Sequence, residues 1–292
     1  MHLQHLGLDG LAPYDVIIVG TSFAALPIAQ ALAPAARVLL IEGGDATETQ
    51  ETRELTRSDE YGHFSDGYWA NHWIRALGGT SSRWSGVVAA LEPSDFAGGD
   101  GRPAWPIARA DLDGEYARAA EWLGRPAAVC RPGTAFGDTL VSCPLSHDVP
   151  VRLPALAGDI GSSAGVDLLM RHTVVRLTSR WRQRVEGLEL TGPSRTSQTL
   201  AVREGQTVVL ACGGLGNAQI LLQPAADTDT PVGNESGLVG RFLMEHPHVV
   251  SGHVLVHRAG LPPMPDGFGP GLVALRVAPP LMTRHDLLPC SL

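Results

Sequence analysis

The chain contains no lysine; all 22 of its basic residues are arginine, against 30 carboxylates, for a formal charge of −8. Nucleic-acid surfaces are built on clustered basic side chains. The grouping found here, Arg176, Arg180, Arg182 and Arg184, falls between strand-like segments and reads as a solvated turn. Nucleic acid is therefore excluded as the expected partner. Cysteine is scarce too: Cys130, Cys143, Cys212 and Cys290 stand far apart, with no CxxC pair. That excludes a disulfide frame or a zinc knuckle and fits a reducing compartment. No run approaches the roughly 18 apolar residues of a membrane span. Met1–His5 lacks the basic start and apolar stretch of a signal peptide. A soluble, cytoplasmic protein is expected. Charged residues make up only 18% and hydrophobic ones 44%, which excludes a disordered chain and suits a large core. Glycine (34) and proline (22) are plentiful among the 292 residues. Without a repeating period, they imply tight turns and close backbone approaches, and the length suggests about two domains.

Asp15 to Gly20 reads D-V-I-I-V-G, a continuous apolar, β-branched run closed by glycine, as in a strand buried on both faces of a parallel sheet. A helical stretch reaches about Ala33, and Arg37 to Ile41 forms a second buried strand ending on Glu42. This βαβ layout predicts a dinucleotide-binding unit. Gly20 permits the sharp turn, and the helix N-terminus faces the pyrophosphate with its positive dipole. Glu42 stands where a carboxylate accepts the ribose hydroxyls and repels a 2′-phosphate, which favours FAD or NAD over NADP. The fingerprint departs from G-x-G-x-x-G, with Ser22 and Ala25 at its second and third glycine positions. Pro27 fits only within the first helical turn, where its missing N–H has no partner to lose. A generic strand-turn-helix is the bland alternative for this segment.

Further along, Leu77 to Gly86 is rich in glycine and hydroxyl residues and predicts a loop whose backbone can approach an anion. Ala110 to Leu123 has helical spacing with an acidic first turn. Residues 124–156 are rich in proline and glycine and are expected to be an irregular covering segment. Short strands are expected at Val166–Leu169 and Thr173–Leu177, with Arg184–Leu190 as one arm of a hairpin. Gln206–Cys212 reads as another buried strand, followed by a glycine-rich turn and a helix beginning at Ala218. One nucleotide domain assembled from discontinuous pieces follows. His246, His248, His253 and His257 raise a metal site, but no completing ligands accompany them, and partly exposed imidazoles on a strand edge are the preferred reading.

The ordered set D-V-I-I-V-G, I-E-G-G (41–44), L-G-G-T-S (77–81), W-P-I (105–107), V-V-L-A-C-G-G-L-G-N-A (208–218) and V-G-R-F-L-M-E-H-P (239–247) resembles the glucose-methanol-choline flavoprotein oxidoreductases. The surroundings of Trp84 and the W-P-I segment are closer to the pyranose oxidase and gluconate/fructose dehydrogenase branch. The resemblance implies an α/β fold: a Rossmann-like FAD-binding domain with a parallel sheet, plus the beginning of a substrate domain with antiparallel strands. It divides the chain into FAD-binding parts at 1–95 and 161–248, a covering segment at 96–160 and a truncated substrate domain at 249–292. Many relatives tether FAD through a histidine just before the Trp84 position; Arg83 stands there, so non-covalent FAD is expected.

By the same resemblance Gly20, Thr21, Ser22, Phe23 and Ala24 meet the pyrophosphate, and Glu42 and Gly43 meet the ribose. Gly78, Gly79, Thr80, Ser81 and Ser82 lie on the phosphate and flavin side. Val175 lies by the adenine, Ala211, Cys212, Gly213 and Asn217 flank the ribose-pyrophosphate, and His246 and Pro247 lie near the flavin edge. The implied reaction oxidises the CH–OH group of a small alcohol or sugar, with hydride passing to flavin N5. The catalytic pair, His with Asn or a second His, is expected beyond the C-terminus, so the chain's catalytic residues are left unassigned. A partner chain supplying a C-terminal half would complete the site. The competing readings are a catalytically inactive FAD-binding module and an NAD-dependent dehydrogenase, which shares the βαβ unit but not the L-G-G-T-S and L-A-C-G-G elements.

Overall fold

The computed structural model describes residues 13–56, 68, 72–84, 86–98, 104–125, 133–147, 163–180, 184–225, 231–243, 245, 272–285 and 287. In chain order the elements are β1 (Val16–Val19), α1 (Ala25–Leu32), β2 (Val38–Ile41), α2 (Gln50–Glu54), a 3-10 turn (Gly79–Ser82), β3 (Val87–Val88) and α3 (Pro93–Phe96). A second 3-10 turn (Arg109–Leu112) runs into α4 (Asp113–Trp122), followed by β4 (Thr134–Phe136), β5 (Leu140–His147), β6 (Val166–Leu169) and β7 (Thr173–Arg180). Then come β8 (Arg184–Thr191), β9 (Ser197–Ala201), β10 (Thr207–Leu210), α5 (Gly213–Leu222), β11 (Leu272–Val277) and α6 (Pro279–His285). The chain forms two compact units, Met1–Arg83 with Arg152–Leu243 and Trp84–Val151 with Met244–Leu292.

The first unit is built on a four-stranded parallel sheet in the order β10-β1-β2-β6. Its short apolar strands need cover on both faces, and Ile17, Ile18, Leu39 and Leu40 are all at most 2% exposed. Burying each such side chain contributes about 1.5–3 kcal/mol. An antiparallel ribbon, β7-β8-β9, completes the unit. Leu177, Leu188 and Leu190 of the ribbon share one core with Ile17, Leu39 and Leu169 of the sheet and Ile220 of α5. Leu39→Ala in this core is worth about 2–5 kcal/mol. Pro27 is the third residue of α1, inside the first turn as its chemistry demands.

Strand order reverses at β1: β2 and β6 follow on one side, and β10, far along the chain, pairs on the other. Such a switch point leaves a crevice beyond the carboxyl ends of the strands, where ligands of open α/β sheets bind.

The second unit carries an antiparallel sheet in the order β11-β5-β3, with β4 also on β5. The expected α/β class, with a parallel sheet and separate antiparallel strands, is thus observed. Some local expectations need correction. Residues 124–156 are not irregular throughout, because they hold β4 and β5. Pro144 hides this in the sequence, since proline argues against a strand interior. The strand tolerates it where β4 pairs with Leu140–Ser142, β3 pairs with Ser146–His147, and Pro144 falls between the two. The helix expected from Ala218 starts five residues earlier, at Gly213; Gly213, Gly214 and Gly216 lower helix propensity and hide its start in the sequence.

Candidate functional site

A cavity of about 320 Å³ occupies the switch-point crevice of the first unit. Three backbone turns, the end of β2, the Trp73–Arg75 segment and the β6–β7 connection make its walls. The first turn, Gly20 to Ala24, links β1 to α1. Gly20 adopts a φ of 97°, and a Cβ there would stand 2.5 Å from the Ala211 carbonyl oxygen, so only glycine fits. Ser22, at the fingerprint's second glycine position, donates its hydroxyl to that same carbonyl at 2.9 Å. The serine that departs from the fingerprint therefore ties the turn after β1 to the turn after β10. The N–H groups of Ala25 and Leu26 donate to the Ser22 carbonyl at 3.0 and 3.1 Å, so the turn itself, rather than the body of α1, faces the cavity.

The second turn follows β10: Ala211, Cys212 and Gly213 line the cavity, with Gly216, Gln219 and Ile220 of α5 behind them. Asn217 is not on the wall. Its Oδ1 accepts the Cys212 N–H at 2.9 Å and its Nδ2 donates to the Leu210 carbonyl at 3.3 Å, so it shapes the turn that does line it. The Cys212 thiol donates to the Val19 carbonyl at 3.2 Å, and burial pushes its pKa up to about 11. The third turn contributes Gly79, Thr80 and Ser81. Gly78 and Ser82 stand just off the wall, and Gly78 fastens the loop by donating its N–H to Thr21 Oγ1 at 2.9 Å.

Glu42 and Gly43 line the cavity at the end of β2. The Glu42 carboxylate is buried, with Oε2 accepting from the Thr21 hydroxyl at 2.5 Å and Oε1 accepting from the Gly44 N–H at 2.8 Å. Burial raises its pKa above the usual carboxylate range, opposed by those two hydrogen bonds and by the charge of Arg75. Arg75 also lines the cavity; its Nη2 donates to Thr173 Oγ1, while its buried Nε has no partner. Burial lowers the Arg75 pKa and Glu42 raises it. A buried donor left unsatisfied costs about 1–3 kcal/mol, so the guanidinium is held there against a penalty.

Most residues expected at the site are thus brought together: Gly20 to Ala24, Glu42, Gly43, Gly79 to Ser81, and Ala211 to Gly213 share one cavity. Val175 points elsewhere and is 37% exposed; its neighbours Thr173 and Val174 are on the wall instead. His246 and Pro247 lie outside the described residues, as do His248, His253 and His257. Arg83, at the position of the tethering histidine, forms an ion pair with the buried carboxylate of Glu48 at 2.7 Å. Among the described residues no group of His, Cys, Asp and Glu could hold a metal ion, and no helix is long and apolar enough to cross a membrane.

Sequence reasoning missed Arg75, His172, Thr173 and Val174. For Arg75 a signal existed: it is the lone charge inside Trp73-Ile74-Arg75-Ala76-Leu77, apolar on both sides. The other three enter because β6 pairs beside β2, which carries the β6–β7 connection to the cavity.

No family model matches the chain, and no curated protein matches it. Among solved structures it is similar to pyridoxine 4-oxidase from Mesorbium loti, at 21% identity over 73% of this chain and 52% of that one, with a TM-score of 0.42. A fungal aryl-alcohol oxidase is similar at 20% identity over 73% and 47%, with a TM-score of 0.44. An FAD-dependent oxidoreductase from Chaetomium thermophilum is similar at 15% identity over 73% and 47%, also with a TM-score of 0.44. The chain spans about half the length of these structures.

Proposed function

We propose that the first unit binds the ADP portion of FAD, non-covalently, and that the chain is the FAD-binding part of an oxidoreductase acting on CH–OH groups of a small alcohol or sugar. The observation that carries this reading is the convergence of three glycine-rich turns and Glu42 on one crevice at the switch point of a parallel sheet. The βαβ unit alone suits NAD equally well. The Gly79–Ser81 loop and the Ala211–Gly213 turn, which carry the family resemblance, both contribute walls to the same cavity, and this favours FAD.

The residues suit the group. Turn Gly20–Ala24 and Gly213 present backbone to a pyrophosphate. Glu42 can accept further hydrogen bonds, here from ribose hydroxyls, beyond those from Thr21 and Gly44, since each carboxylate oxygen has two acceptor sites. Ile41, Val174 and Ile220 supply apolar surface for a base. The volume lies at the small end of ligand sites, enough for the nucleotide part of a dinucleotide. When bound, FAD supplies the hydride acceptor for oxidation of the alcohol carbon. What this chain's own residues do is bind and orient its ADP end.

A visible absorption spectrum of the purified chain, with acid release of the chromophore, tests the reading. A flavin spectrum recovered in the supernatant as FAD is the expected result. Colourless protein that FAD does not reconstitute, or that takes up NAD instead, would overturn it.

A further inference from the structure

Two opposite charges stand on the wall of the cavity without forming an ion pair. Glu42 has both oxygens engaged, by Thr21 and by Gly44. Arg75 is anchored by Thr173 and keeps a buried, unpartnered Nε. Glycines let the guanidinium come in so far. A Cβ on Gly43 would stand 2.8 Å from Arg75 Nη2, and one on Gly44 would overlap the Arg75 carbonyl. The hydrogen-bond directions fix more than the distances do. Thr21 has one hydroxyl proton; its oxygen accepts from Gly78, so that proton goes to Glu42 Oε2. The Gly44 N–H needs Oε1 as an acceptor as well. Both oxygens of Glu42 thus serve as acceptors, a pattern that favours the carboxylate over the acid.

We propose that Arg75 is a positioning residue whose charge keeps Glu42 ionised inside the cavity, ready to accept hydrogen bonds from the ribose of a bound nucleotide. The proposal rests on the nucleotide reading above. A carboxylate enclosed this way needs a nearby cation. Among the described residues, the other titratable groups that line the cavity are the Cys212 thiol, from the turn after β10, and the His172 imidazole, from the β6–β7 connection. The thiol is neutral at pH 7, and His172 directs Nδ1 to the Met170 carbonyl at 2.8 Å. Among the described residues that line the cavity, Arg75 supplies the permanent positive charge.

The test follows the Glu42 carboxyl carbon by NMR across pH in the whole chain, its resonance identified by loss in Glu42→Gln. In Arg75→Gln and Arg75→Met the titration midpoint rises by about one unit or more, and in Arg75→Lys it stays within about half a unit of wild type. Arg75→Gln keeps donors toward Thr173 and carries the comparison if Arg75→Met does not fold. With ADP as the probe at pH 7, Arg75→Gln weakens binding by about tenfold, but adding it to Glu42→Gln weakens binding little further. An unshifted midpoint in Arg75→Gln overturns the proposal, as does a full additive loss in the double variant. A shifted midpoint in a chain whose wild type binds neither ADP nor FAD would sink the nucleotide reading and leave the coupling between the two charges standing.

Discussion

The hydroxyl of Ser22 donates to the carbonyl of Ala211 at 2.9 Å, joining two turns that lie 189 residues apart in the chain. The acceptor residue is buried, so removing the donor leaves its carbonyl short of a partner. Ser22→Ala is expected to lower stability by about 1–3 kcal/mol. Urea unfolding followed by circular dichroism checks it, with an unchanged midpoint as the contrary result. Ser22→Gly restores the glycine of the usual fingerprint, yet it is expected to destabilise as well, because the bond is lost and the turn gains freedom when unfolded.

Gly20→Ala is the harsher change. It adds a Cβ 2.5 Å from the Ala211 oxygen to a residue with a φ of 97°. A cost of about 1–3 kcal/mol is expected from the strained backbone alone. The turn then shifts, and FAD retained through purification should fall with it; full flavin content in a stable Gly20→Ala protein would contradict this geometry.

Glu42 links the site to pH. Its pKa in the folded chain lies above the ordinary value of 4.5, because burial disfavours the charged form. Below the unfolded value both states carry the proton and the residue has no effect on folding. As pH rises through the folded value, the folded state must hold a buried charge, and stability falls. Urea midpoints of the ligand-free wild type should therefore decline as pH rises above the ordinary value of 4.5, relative to those of Glu42→Gln. Parallel pH profiles for the two proteins would count against a raised Glu42.

Cys212 offers a chemical readout. With a pKa of about 11 and a half-buried thiol, it is almost wholly protonated at pH 8. Alkylation by iodoacetamide, followed by peptide mass spectrometry, should run on the order of a hundredfold slower than for an ordinary exposed thiol. The rate should climb about tenfold per pH unit, and FAD should slow it further. Fast labelling at pH 7 would rule out the described environment.

The parts of the site legible in the sequence are those that local backbone chemistry dictates. V-I-I-V and V-L-L-I are short, apolar and closed by glycine or glutamate, so their strands and the turn between them read directly. Leu77-Gly78-Gly79 announced a close-approach loop for the same reason. Arg75 carried a local signal as a lone charge in an apolar run, but its meeting with Thr173 was not legible, because it depends on β6 pairing beside β2, a contact between distant segments. Ser22 was legible as a departure from the motif, but its role was hidden: its partner is a backbone carbonyl, and carbonyls carry no side-chain identity. Pro144 misled in the opposite direction, since a gap between two pairing partners is invisible until the sheet is assembled.

The pairing of Val16 with Thr207 has a consequence for how the protein is made. At about 5–20 residues per second, the stretch separating those partners takes roughly ten to forty seconds to synthesise. Throughout that time β1 emerges with β2 available on one side and an open, apolar edge on the other. An uncovered edge of this kind templates aggregation. The nascent chain is therefore expected to depend on a chaperone, or on slow dilute expression, until β10 leaves the ribosome and covers the β1 edge.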